Sequence, residues 1–66
     1  MIFLSKYVVF NIFYGKFLSS IDIDFLDYKF TSEFDDAMMF DTQYKAEKYA
    51  SYIEEKVCVL KICSVF

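Results

Sequence analysis

Proline, histidine, arginine and tryptophan are all missing from this 66-residue chain, and glycine occurs once, at Gly15. Several of these absences remove a class of function. General acid–base catalysis falls most often to histidine, and zinc sites are built from clusters of Cys and His. Neither can be assembled from Cys58 and Cys63 alone. A phosphate-cradling loop needs several glycines. Direct nucleic-acid binding leans on a basic stripe, whereas here lysine is the sole basic residue type and the net charge is −3. An aromatic stacking platform would need a positively charged groove beside it, and the sequence supplies none. The expectation is therefore a protein that is not an enzyme, holds no cofactor or metal, and does not bind nucleic acid directly.

The cysteines are too few to staple the fold. They lie five residues apart in one apolar run, so alternation along a strand points them to opposite faces and they cannot bridge. They read as small apolar fillers of a buried strand in a reducing, cytoplasmic setting. The apolar stretch Met1–Tyr14 is interrupted by Ser5, Lys6 and Asn11. It falls short of the ~20 residues that cross a bilayer and lacks the layout of a signal peptide. It reads as a strand, with no membrane partner.

What the chain has in excess is grease. Its apolar fraction is 58% and its aromatic fraction 23%, with nine Phe and six Tyr. A domain of this size buries only about 60% of the surface its unfolded chain exposes. One sheet face under one helix cannot absorb so many rings, and contiguous exposed apolar patches mark interaction sites. The expectation is a single domain, residues 1–66, that works by binding and is itself a homo-oligomer.

Local patterns predict an α+β fold, a small antiparallel sheet of three to four strands packed on one helix in the order β-β-(β)-α-β. The β-branched and aromatic run Lys6–Tyr14 and the run Lys16–Asp24 flank Gly15, which suits a hairpin whose turn needs positive φ. Ile21, Ile23 and Phe25 alternate with Asp22 and Asp24, the pattern of a strand with one wet face. Tyr28–Thr31 is either a third strand or the end of the second, and Ala37–Phe40 either a short strand or a half-turn. Asp41 or Thr42 caps a helix, with Phe40 positioned to staple onto its first turn. Ala46, Tyr49, Ala50 and Ile53 form its apolar stripe. Val57–Cys63 closes the fold as a strand apolar enough to be central.

Charge is unevenly distributed. From Asp22 to Asp41 there are seven acids and one lysine, Lys29, a balance of −6, while the remainder holds six lysines and three acids, +3. Asp22 and Asp24 have the spacing that opens a calcium loop, but the glycine and the distal Glu of such loops are missing, so these acids read as solvent-facing. An acidic segment can steer a basic partner through its field, or it can simply keep an apolar protein soluble. Aromatic residues lie within it, and aromatics are favoured interface anchors. The candidate partner-binding residues are Asp22, Asp24, Asp27, Glu33, Asp35 and Asp36 for charge, with Tyr28, Phe30 and Phe34 as anchors.

The segment Phe30–Tyr49 resembles a pattern common in small phage and prophage proteins of low-GC bacteria: a short hairpin, a TS-x-x-x-x-A-x-x-F stretch, a capped helix and a final strand. Thr31, Ser32, Ala37, Phe40, Thr42, Ala46 and Tyr49 carry the match, and the wealth of Phe, Tyr, Ile and Lys is similar to that of AT-rich genomes. Some such proteins inhibit bacterial defence, among them anti-CRISPR proteins, which tend to be small, acidic and non-enzymatic. The resemblance implies an inhibitor acting in the host cytoplasm on a host protein or protein–nucleic acid complex with a basic surface. The alternative it leaves is a homo-oligomeric structural or regulatory phage protein. The matched positions belong to caps and core, so no functional residue follows from the resemblance itself.

Overall fold

The runs on either side of Gly15 pair as a hairpin in the computed structural model, which describes residues 3–65. Strand β1 spans Phe3–Asn11 and β2 spans Lys16–Asp22, with Gly15 at φ +68° closing the turn between them. That left-handed backbone costs glycine nothing sterically. Strand β3, Asp27–Thr31, follows, so the segment that read as either a third strand or a ragged end is a strand. A single 3₁₀ turn covers Phe34–Asp36. Helix α1 runs over Gln43–Ala50 and β4 over Val57–Val65. The sheet is antiparallel throughout in the order β3-β2-β1-β4, giving an α+β fold of β-β-β-α-β order.

Thr42 is the residue that caps α1, its hydroxyl oxygen accepting a hydrogen bond from the Lys45 N–H at 3.2 Å. Such a cap contributes about 1 kcal/mol. Val9, Leu18, Phe40, Ala46 and Ile53 form the core between sheet and helix. The small Ala46 lets α1 lie close, while Ile53 reaches the core from the turn after the helix. Phe40, ahead of the cap, shares that core with Ala46 of the helix, and its ring stacks on Tyr49 further along, centroids 5.3 Å apart.

The centre of the sheet is not simply β1 against β2. These strands pair only at Phe10↔Phe17 and Asn11↔Lys16. Beyond that they separate, and the chain before the helix enters the gap. The Met38 N–H donates to the Leu18 carbonyl at 2.8 Å, while Tyr7 and Phe40 exchange two backbone bonds of 2.9 and 2.8 Å. Ala37–Phe40 is thus an extended bridging segment, close to a short strand.

Three expectations change. First, β4 is an edge strand, not a central one: among the described residues it pairs only with β1. Its odd-numbered Val57 and Val59 pack on the core, while alternation sends its even-numbered residues to the face without the helix. Continuous apolarity here reflects a strand greasy on both faces, not one flanked on both sides. Second, Cys58 is half-buried and Cys63 exposed, both free, so they are not fillers of a buried strand. Third, β2 ends at Asp22, and the Ile23–Phe25 alternation continues into a turn where Ile23 and Phe25 are exposed.

Candidate interaction surfaces

The β2–β3 hairpin ends in the turn Ile23–Leu26. Asp22 and Asp27 face each other across the last rung of the ladder, and the Asp22 carboxylate accepts the Asp24 N–H at 3.1 Å. Like charges directly opposite on a sheet destabilise it. Leu26 adopts φ 51°, a left-handed conformation that costs a non-glycine residue about 1–2 kcal/mol. Between these acids Phe25 is 82% exposed, with Ile23 and Leu26 also turned to solvent. The tip therefore combines three carboxylates with three exposed apolar side chains, all from the predicted acidic stretch or its interstices.

The other predicted residues lie elsewhere. Tyr28 and Phe30 point toward the helix side, half-buried, rings 5.7 Å apart edge to face and packed on the core. Partial burial, together with the Glu55 carboxylate beside it, pushes the Tyr28 phenol above its ordinary pKa. These two rings serve the interior more than the surface. Glu33, Phe34, Asp35 and Asp36 follow β3 at its far end, where the Glu33 N–H donates to the Thr31 hydroxyl at 3.1 Å. Five residues of β3 separate them from the hairpin tip, roughly 15 Å at the usual rise of a strand. Phe34 meets Phe17 edge to face at 5.4 Å, and Phe17 meets Phe10 at 5.3 Å. Asp41 is removed from the acidic set by its ion pair with Lys6, whose hydrogen bond and charge hold the Asp41 carboxyl below its usual pKa. The single acidic patch expected from sequence is thus two acidic patches at opposite ends of β3.

Three exposed residues escaped the sequence reading: Ile12, Phe13 and Tyr14, in the turn between β1 and β2. Phe13 is 79% exposed and lies edge to face with Tyr14, centroids 4.9 Å apart. The turn is held from beneath by the fully buried Asn11. Its Oδ1 accepts the N–H groups of Phe13 and Tyr14, each at 3.0 Å, and its Nδ2 donates to Glu55 Oε1 at 2.9 Å. The Ile12 N–H adds a bond to the Lys56 carbonyl at 3.0 Å. Signals for this were present: an Asn directly before a turn accepts N–H groups further along it, and the apolar run continues into Gly15 without a polar residue to form the turn.

Among the described residues no pocket is found, no three Cys, Asp or Glu side chains converge as metal ligands would, and no helix is long and apolar enough to cross a membrane. No protein-family model matches the chain, and no curated protein or solved structure does either.

Proposed function

We propose that this protein is a phage-derived, non-enzymatic binding protein of the host cytoplasm that inhibits a defence nuclease complex, in the manner of anti-CRISPR proteins, by covering a basic surface. The observation that carries the reading is the hairpin tip, where Phe25 stands in solvent among Asp22, Asp24 and Asp27. Carboxylates draw a basic surface in and set the register of docking, and a buried aromatic supplies the anchor. The Glu33–Asp36 patch around Phe34 offers a second contact of the same chemistry. Phage origin and the nuclease target rest on the resemblance of Phe30–Tyr49 to small phage proteins.

The test is inhibition of target cleavage by a reconstituted CRISPR effector. Replacing Asp22, Asp24 and Asp27 together by Lys is expected to raise the inhibitory concentration at least tenfold, and Phe25→Ser to do likewise. Added salt should weaken wild-type inhibition. Unchanged potency in both variants removes the tip mechanism.

A second reading, a homo-oligomeric structural or regulatory phage protein without inhibitory role, is favoured by one observation. The helix-free face carries the ring series Phe10, Phe17 and Phe34, and beside it Leu60 is 38% exposed. Sedimentation at micromolar concentration together with the inhibition assay separates the two readings.

A further inference from the structure

The two edges of the sheet differ in how they are protected. Strand β3 is five residues long, carries Asp27 and Lys29, and lies beside a β-bulge between Leu18 and Ser20. The Ser19 hydroxyl also donates to its Lys29 carbonyl at 3.1 Å. Short length, charge and bulging are the usual defences of an edge against pairing with another chain. Strand β4 is longer, unbulged and nearly uncharged. It spans nine residues, Val57–Val65, without proline or bulge, and Lys61 is its single charge.

Which backbone groups β4 leaves open follows from the register. Tyr7 turns both its N–H and its carbonyl toward Phe40, so in the antiparallel ladder the bonded β1 residues on the β4 side are Lys6, Val8 and Phe10. Their partners are Ile62, Leu60 and Cys58. The alternate residues Val57, Val59, Lys61 and Cys63 therefore aim their N–H and carbonyl groups away from the sheet. None of these backbone groups bonds to any described backbone group outside the strand.

We propose that this open edge is a self-association site, in which β4 pairs antiparallel with β4 of a second copy about a twofold axis, joining two four-stranded sheets into one. The sequence of the strand selects the register. Centring the pair on Lys61 would place two ammonium groups directly opposite, which is unfavourable. Centring it on Leu60 sets Leu60 across from Leu60 of the second copy and Cys58 across from Ile62, all apolar, on the helix-free face. Lys61 then lies across from Val59, and the open groups from Val57 to Cys63 close about eight backbone hydrogen bonds. Centring on Ile62 would instead place Leu60 against Ser64. Neither native cysteine meets its counterpart in the Leu60 register, so the dimer is non-covalent. The inference deepens the self-association reading above, and its test reads assembly alone, so failure of the inhibition assay does not bear on it.

Sedimentation equilibrium of the full chain at tens of micromolar, with and without reductant, is expected to show twice the chain mass in both. Lys61→Pro removes an outward N–H that the fold does not use, a change that edge strands tolerate, and should weaken association at least tenfold. Lys61→Ala keeps that N–H and should leave association intact. In a Cys58→Ser, Cys63→Ser background, Leu60→Cys should oxidise to a covalent dimer and Ile62→Cys should not. A strict monomer in the wild type overturns the proposal, as does a folded Lys61→Pro variant that still dimerises. Should that variant fail to fold, the cross-link decides: no covalent dimer from Leu60→Cys in a dimeric background overturns the paired edge in this register.

Discussion

Replacing Asn11 by Ala should cost this fold more than any other polar-to-alanine change. Asn11 is fully buried, and its amide makes three hydrogen bonds: two from the Phe13 and Tyr14 N–H groups and one to the Glu55 carboxylate. A neutral hydrogen bond contributes about 1 kcal/mol net and one to a charged group about 1.5–3. Their sum is reduced because Glu55 is exposed, as are Phe13 and Tyr14, and water can replace part of what is lost. The expected destabilisation is about 2–4 kcal/mol. A chain of this length has a total stability of about 3–10 kcal/mol, so the variant should be partly unfolded or nearly so. Urea titration followed by far-ultraviolet circular dichroism reads the change directly, and the thermal midpoint should fall on the order of 10 °C or more. Asn11→Asp supplies an internal check. It keeps the acceptor for the turn but sets a second carboxylate against Glu55. With no amide N–H left to meet the Glu55 carboxylate, the variant should be less stable than wild type at neutral pH, by about the 1.5–3 kcal/mol of a hydrogen bond to a charged group. A loss below about 0.5 kcal/mol for Asn11→Ala would refute the view that this amide organises the turn.

Two further outcomes follow from the geometry. At Gly15 a Cβ would meet nothing within 4 Å while φ is +68°, so Gly15→Ala should destabilise by about 1–2 kcal/mol through backbone conformation alone. Gly15→Asn should cost less, which urea midpoints will show. Lys6 depresses the Asp41 pKa, so the pair's contribution is present above the unfolded carboxyl pKa and lost as pH falls through the lowered folded one. In Lys6→Met, an NMR titration should find the Asp41 carboxyl back near its ordinary range, and that part of the acid sensitivity should disappear.

Local signals in the sequence led to local structure. Gly15 marked the first turn, Thr42 was one of two residues read as the helix cap, and the 3.6-residue recurrence of Ala46, Tyr49, Ala50 and Ile53 marked the buried stripe, because each depends on neighbours in the chain. Strand order does not. Val57–Val65 is apolar at nearly every position, and that pattern cannot distinguish a strand flanked on two sides from an edge strand greasy on both faces. The alternation of Ile23 and Phe25 matched a strand's period but ran past the point where Asp22 meets Asp27 and the chain reverses. The acidic stretch looked like one patch because its acids are close in sequence; β3, laid between them, carries Glu33, Asp35 and Asp36 away from the tip. Asn11 looked like an interruption in an apolar run, whereas its amide is what lets Phe13 and Tyr14 stand outward.

The pairing of β1 with β4 has a consequence for how the protein is made. β1, an inner strand of the sheet, is synthesised well before β4, its long partner, which follows only after Lys56. At roughly 5–20 residues per second a ribosome needs several seconds to deliver β4. Throughout that interval Val8 and Val9, wholly enclosed in the finished molecule, have no ladder on that flank. A nascent chain stalled at Lys56 would present a naked apolar strand to every other such chain on the polysome.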